Sequence, residues 1–328
     1  GAGNDTIQSE GTIVADAYST GVTVAAAITG TGVTGAADAV WDGGTHTTAL
    51  AAGIGAGDGV DTIPNKGNIT ATSDALTVAV DAAITGTGVS LAATTATTTA
   101  QAVGIDGGAG NDTIQSEGAI LADASATGVA VAASITGVGV SGAADAVWDG
   151  GTHTTALATG IGAGDGNDVI HTVGAITAIA DATTVAVDAA LTGKGVALAA
   201  TASTTTAAAT GIDAGAGNDF IDHTGNLTAD ASASGVGVAV GLTAFGVSAA
   251  TDAVWDAGTK AAATATGIDA AAGDDTITST GNILVTAEAD TVAVEVALTA
   301  AGVSAALTNT SVEAQAVGID GGDGADSI

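Results

Sequence analysis

The chain has 328 residues and a formal charge of −32, from 35 acids against three lysines (Lys66, Lys194, Lys260) and no arginine. That balance excludes nucleic acid as a partner, because phosphate neutralisation needs Lys and Arg, and it disfavours an anionic membrane surface. Cysteine is absent and aromatic residues make up only 2%, so there is no disulfide framework or thiol chemistry, and the core must be built from small side chains.

Read from the N-terminus, an aspartate in a glycine turn recurs seven times: Asp5, Asp61, Asp112, Asp168, Asp219, Asp275 and Asp326. Successive spacings alternate between 56 and 51 residues, so the true period is 107. Trp41, Trp148 and Trp255 keep the same 107-residue interval. The chain divides into super-repeats 1–107, 108–214 and 215–321, with 322–328 opening another. The five extra residues of each long unit lie near "WDGGT" (41–45, 148–152) and "WDAGT" (255–259).

Within a unit, apolar residues alternate as in a strand, and frequent glycine and β-branched residues oppose helix. In the second unit Ile69, Ala71, Ser73 and Ala75 share one parity, and Val78, Val80, Ala82 and Ile84 share the other. This predicts a kink or bulge near Leu76–Thr77. "TGTG" (85–88) then breaks the run before Val89, Leu91 and Ala93. The expected fold is all-β: a repetitive, flattened β-solenoid with two long faces joined by two glycine corners, and an interior of Ala, Val and Gly. Stacked coils rise ~4.8 Å each. An extra loop on alternate coils then has ~9.6 Å of room, the steric reading of the 56/51 alternation. Two smaller coils per unit, or a hairpin meander about "TGTG", fit the same pattern.

The turns read "GAGNDTI" (1–7), "GDGVDTI" (57–63), "GGAGNDTI" (107–114), "GDGNDVI" (164–170), "GAGNDFI" (215–221), "AAGDDTI" (271–277) and "GGDGADSI" (321–328). These resemble the GGxGxDxU motif of repeats-in-toxin, haemolysin-type calcium-binding β-rolls. That family repeats its motif every nine residues, whereas here it returns every 51 or 56. The whole unit is more similar to the β-strand repeats of giant bacterial surface proteins and adhesins. The resemblance implies Ca²⁺ bound by the seven turn aspartates and turn carbonyls, with the isoleucine packed inward. Asp58, Asp106, Asp165, Asp213, Asp269, Asp320 and Asp323 lie beside the turns as possible support. Calcium would be bridged between coils only if the turns stack in register; otherwise these are solvated Asx/Gly turns.

Other constellations are weaker. His46 and His153 are repeat equivalents, but Lys260 replaces them in the third copy, so no catalytic set can be assembled and an enzyme is not expected. Trp41, Trp148 and Trp255 suit a lateral contact, since Trp is enriched at interfaces. The threonine runs "TTATTTA" (94–100) and "TASTTTAAAT" (201–210) raise ice binding, against ordinary β-propensity. No signal peptide is visible and no run of about 18 apolar residues reads as a membrane span. The chain starts and stops inside a turn, which suggests a piece of a longer array. The expected function is an extracellular or cell-surface fibre, sheath or array protein that associates with further copies or continues its own repeats. The stalk of a Ca²⁺-dependent adhesin is the alternative.

Overall fold

The computed structural model describes residues 1–37, 44–144, 151–252 and 258–328. Among them every regular element is a strand, and no helix is long and apolar enough to cross a membrane. Six 25-residue strands (Ile13–Ala37, Ile69–Ala93, Ile120–Ala144, Ile176–Ala200, Leu227–Thr251, Ile283–Leu307) form one parallel sheet. Six 11-residue strands (Thr45–Gly55, Ala96–Asp106, Thr152–Gly162, Ser203–Asp213, Thr259–Asp269, Thr310–Asp320) form a second. Five short strands (Thr62–Asn65, Thr113–Ser116, Val169–Thr172, Phe220–Thr224, Thr276–Thr280) form a third. Each strand pairs in parallel with its equivalent one unit away, so each 51- or 56-residue unit is one coil of a β-solenoid.

The long strand reverses direction at its glycine corner. Ser90 Oγ donates to Ala83 O at 2.7 Å, and Thr85 Oγ1 donates to Val89 O at 3.2 Å. An outgoing arm therefore faces a returning arm across a thin interior. Gly88 at the corner has φ +136°, and a Cβ there would stand 1.8 Å from Gly32 O of the preceding coil. Only glycine permits that backbone and that approach. At the other end the short strands add a third side, so the flattened coil broadens next to the acidic turn.

Packing follows this wedge. At the broad end each interior coil buries three isoleucines, or two and a leucine. Ile63, Ile69 and Ile105 are all but inaccessible, as are Ile114, Ile120 and Ile161. Burial of such a side chain stabilises by about 1.5–3 kcal/mol. The Ile that closes each turn motif packs inward at Ile63, Ile114, Ile170, Ile221 and Ile277. Toward the "TGTG" corner the arms converge and only small side chains fit: Thr77, Ala79, Asp81 and Ala83 are fully buried.

The expected bulge near Leu76–Thr77 does not form. Pairing runs residue for residue through Ala75, Leu76, Thr77 and Val78 with both neighbouring coils. Strand parity is therefore unbroken, and one residue of slip would be needed to exchange the faces. Four apolar columns point outward as a result. Val22, Val78, Val129, Val185, Val236 and Val292 form one, and Val24, Val80, Val131, Val187, Val238 and Val294 the next. Ala26, Ala82, Ala133, Ala189, Val240 and Val296 follow, then Ile28, Ile84, Ile135, Leu191, Leu242 and Leu298. Valine thus lines the outside, and the interior is Ala, Ile, Thr and Ser. The physical reason is the separation of the arms: a Cβ on Gly241 would already meet Ala249 O at 2.5 Å.

The five extra residues of the long units fall between the arms. Seven residues separate Ala37 from Thr45, but two separate Ala93 from Ala96. The two ends of one insertion are tied: Thr259 N and Oγ1 donate to Asp252 at 2.9 and 2.7 Å. Trp41, Trp148 and Trp255 lie outside the described residues, as does most of each loop, so the lateral-contact and loop-spacing expectations fall there too.

Candidate functional site

The acidic turns stack in register, and their aspartates form a hydrogen-bonded column. Asp5 N–H donates to Asp61 Oδ1 at 2.6 Å, Asp61 N–H to Asp112 Oδ1 at 2.7 Å, and Asp112 N–H to Asp168 Oδ1 at 2.6 Å. The series continues through Asp219, Asp275 and Asp326 at 2.7, 2.7 and 3.0 Å. Glycine makes this possible. Gly110 has φ +133°, and a Cβ there would lie 1.7 Å from Gly59 O.

Only half of each carboxylate is used. Asp61, Asp112, Asp168, Asp219 and Asp275 are buried, at 0–3% exposure, and the Oδ2 of each has no hydrogen-bond partner. An ionised carboxylate with an unsatisfied buried oxygen is costly. Burial accordingly raises the Asp112 carboxyl above its usual range, and raises Asp168 to about 6 and Asp219 to about 7. The backbone N–H bonds act in the opposite direction, and the neighbouring carboxylates add to the rise.

A second column runs one residue earlier and in the opposite sense. Asn111 Oδ1 accepts from Asn167 N, Asn167 Oδ1 from Asn218 N, and Asn218 Oδ1 from Asp274 N, at 2.9, 2.7 and 2.8 Å. Each Asn–Asp pair thus clasps the following coil with its first side chain and the preceding coil with its second. This column is solvent-exposed, and Val60 interrupts it.

The supporting acids stand in two further columns. Ala109 bridges Asp58 and Asp165, whereas Ala272 bridges Ala216 and Asp323. Asp106 lies between Gly55 and Gly162, whereas Asp213, Asp269 and Asp320 are consecutive. Asp269 and Asp320 cap their own turns by accepting from Ala271 N and Gly322 N, each at 3.1 Å. Among the described residues no three acidic or histidine side chains converge to hold a metal. Any ion at the turns would therefore draw on the unsatisfied Asp Oδ2 atoms, turn carbonyls and water. All are hard oxygen ligands of the kind Ca²⁺ takes.

Two buried groups escaped the sequence reading. Asp81 and Asp188 are fully buried, and Glu295 occupies the same column; Ala25, Ala132 and Ala239 take it on the intervening coils. Burial, and then Asp252, raises the Glu295 carboxyl to about 7. The assumed bulge had turned this parity to solvent. The signal was present, since the three acids are spaced by the 107-residue period. His223 is the other. It is buried, Thr172 Oγ1 lies 2.6 Å from its Nδ1, and burial lowers its pKa.

No family model matches this chain, and no curated protein matches it.

Proposed function

We propose that the chain is a structural element of an extracellular or cell-surface array, a stiff β-solenoid whose acidic turns bind Ca²⁺ between successive coils. The observation that carries this reading is the pairing of a satisfied Oδ1 with an unsatisfied, buried Oδ2 in Asp61, Asp112, Asp168, Asp219 and Asp275. An amide could supply the Oδ1 acceptor without charge, as the adjacent asparagine column does. Aspartate at all seven turn positions adds only the negative oxygen, and that oxygen calls for a cation. Equivalent atoms one coil apart are separated by ~4.8 Å. An ion midway is ~2.4 Å from each, within the range of Ca²⁺–oxygen bonds.

Bound calcium would neutralise the column, cross-link adjacent coils and stiffen the stack. Three continuous parallel sheets carry load along the axis through backbone hydrogen bonds, a property that suits a fibre, a sheath or an adhesin stalk. Ice binding has less support. The outward threonine column Thr48, Thr99, Thr155 and Thr206 ends in Ala262 and Glu313, and the next column mixes His46, His153 and Lys260 with threonine.

The test is titration of the metal-free protein with Ca²⁺, followed by calorimetry and by thermal melts under circular dichroism, with Mg²⁺ as control. Several ions bound per chain, and a raised melting temperature that EDTA reverses, are expected. A melting temperature indifferent to Ca²⁺ and EDTA would sink the calcium role. Electron microscopy of the assembled material then distinguishes a fibre from a stalk.

A further inference from the structure

We propose that the outward valine–isoleucine face of the long sheet is where two copies of this chain pack, sheet against sheet. The face is a finding of the fold, because unbroken parity turns the larger side chains of the outgoing arm to solvent. Its four columns contain no polar side chain on any of the six coils. On interior coils Ile84, Ile135 and Leu191 are exposed, at 39%, 42% and 38%, whereas Leu242 and the other three columns are half-buried.

Size supports a protein partner. Four alternate residues span ~20 Å along the strand, and six coils span ~29 Å across it. The footprint is roughly 580 Å² per copy, so a pair buries roughly 1,160 Å², above the ~1,000 Å² that marks a specific interface. A patch of roughly 580 Å² is at the upper end of what single monomers expose, and patches of that size are often functional. Each further coil would extend the patch along the axis.

The placement of charge around the face fixes the orientation of a second copy. The chain carries −32 overall, which opposes an anionic lipid surface, whereas this face is neutral. Acids lie on one flank, with Asp74, Asp123, Asp181 and Asp230 nearer the acidic turns, and Lys194 lies on the other, at the glycine corner. Lys194 and Asp181 sit seven and six residues on either side of Val187. A two-fold axis along the stack near Val187 keeps the two acidic flanks apart. It also brings Lys194 of each copy toward the partner's Asp181 side. β-Sheets pack in this way ~10 Å apart, with strands nearly aligned.

This inference rests on the structural-array reading for its purpose, but it makes no use of the acidic turns. The test is sedimentation of the full chain with and without EDTA, beside a variant carrying Val129→Thr, Val131→Thr, Val185→Thr and Val187→Thr. Threonine retains shape and β-propensity, and circular dichroism checks the fold. The expected result is association of the parent chain, with at least a tenfold weaker dimer in the variant. The protein has no cysteine, so Val187→Cys should cross-link to its counterpart with a short bismaleimide, whereas Thr206→Cys on the opposite face should not. A parent chain that stays monomeric, equal cross-linking from both faces, or binding to phosphatidylcholine vesicles without self-association overturns the proposal. Loss of calcium binding with dimerisation intact would instead overturn only the reading of the turns.

Discussion

Asp112 N–H donates to Asp168 Oδ1 at 2.6 Å, although 56 residues separate the two in sequence. That bond repeats along the solenoid and aligns each turn with the next. It also leaves Asp168 Oδ2 buried without a partner, and most of what can be tested follows from this imbalance.

Without metal, the protein should be more stable in mild acid than at neutral pH. Asp112, Asp168 and Asp219 have folded-state pKa values raised above the unfolded carboxylate value, to about 6 and about 7 for the latter two. The folded chain then holds protons that the unfolded chain releases, so stability is full below pH ~4 and is lost as pH rises through 6 to 7. His223 acts in the opposite sense, since its lowered pKa costs stability as pH falls through its unfolded value of ~6.5. Glu295, also raised to about 7, adds to these three, and together the carboxyls outweigh one imidazole. Melts in EDTA should give a midpoint about 5 °C higher at pH 4.5 than at pH 8, and saturating Ca²⁺ should reduce that difference to the share that Glu295 contributes.

Asp168→Asn keeps the oxygen that Asp112 N–H needs and deletes the charge. Metal-free stability at pH 8 should rise, its pH dependence should flatten, and the Ca²⁺-induced increase in midpoint should shrink. Asp168→Ala removes the acceptor and strands a buried N–H, at a cost of about 1–3 kcal/mol. Denaturant unfolding of the two variants separates the hydrogen bond from the charge.

Ala271 is the one described non-glycine residue with positive φ, at 62°. It stands where other turns have Gly57, Gly108, Gly164 and Gly215. A left-handed alanine costs about 1–2 kcal/mol, so Ala271→Gly should stabilise by about 1 kcal/mol. Gly110→Ala should destabilise strongly, because its Cβ would overlap Gly59 O. Chemical denaturation of the pair checks both signs.

Strand parity can be tested with one kind of substitution on two faces. Ala130 is fully buried between the arms, and Ala130→Val should cost about 1–3 kcal/mol through overpacking. Ala133 points outward in a column that already holds Val240 and Val296, so Ala133→Val should change stability by less than about 0.5 kcal/mol. Equal effects would restore the bulge.

Much of the architecture was legible in the repeats. The 56/51 spacing, the glycine corners and the isoleucine after each turn aspartate are local features: a turn needs φ > 0 wherever it occurs, and alternation marks a strand wherever it runs. These pointed to an all-β solenoid of 51- and 56-residue units and singled out the seven turn aspartates, and the parallel pairing of equivalent strands decided that each unit is one coil. Which parity faces inward was not local. Val78, Val80, Ala82 and Ile84 look like core residues in one dimension, and only the unbroken pairing of the long strand with both neighbouring coils turns them outward and Asp81 inward. Likewise, sequence could propose that Asp112 needs Asp61 and Asp168, but only stacked coils, with each N–H fixed one strand spacing from the next carboxylate, decide that the three aspartates meet.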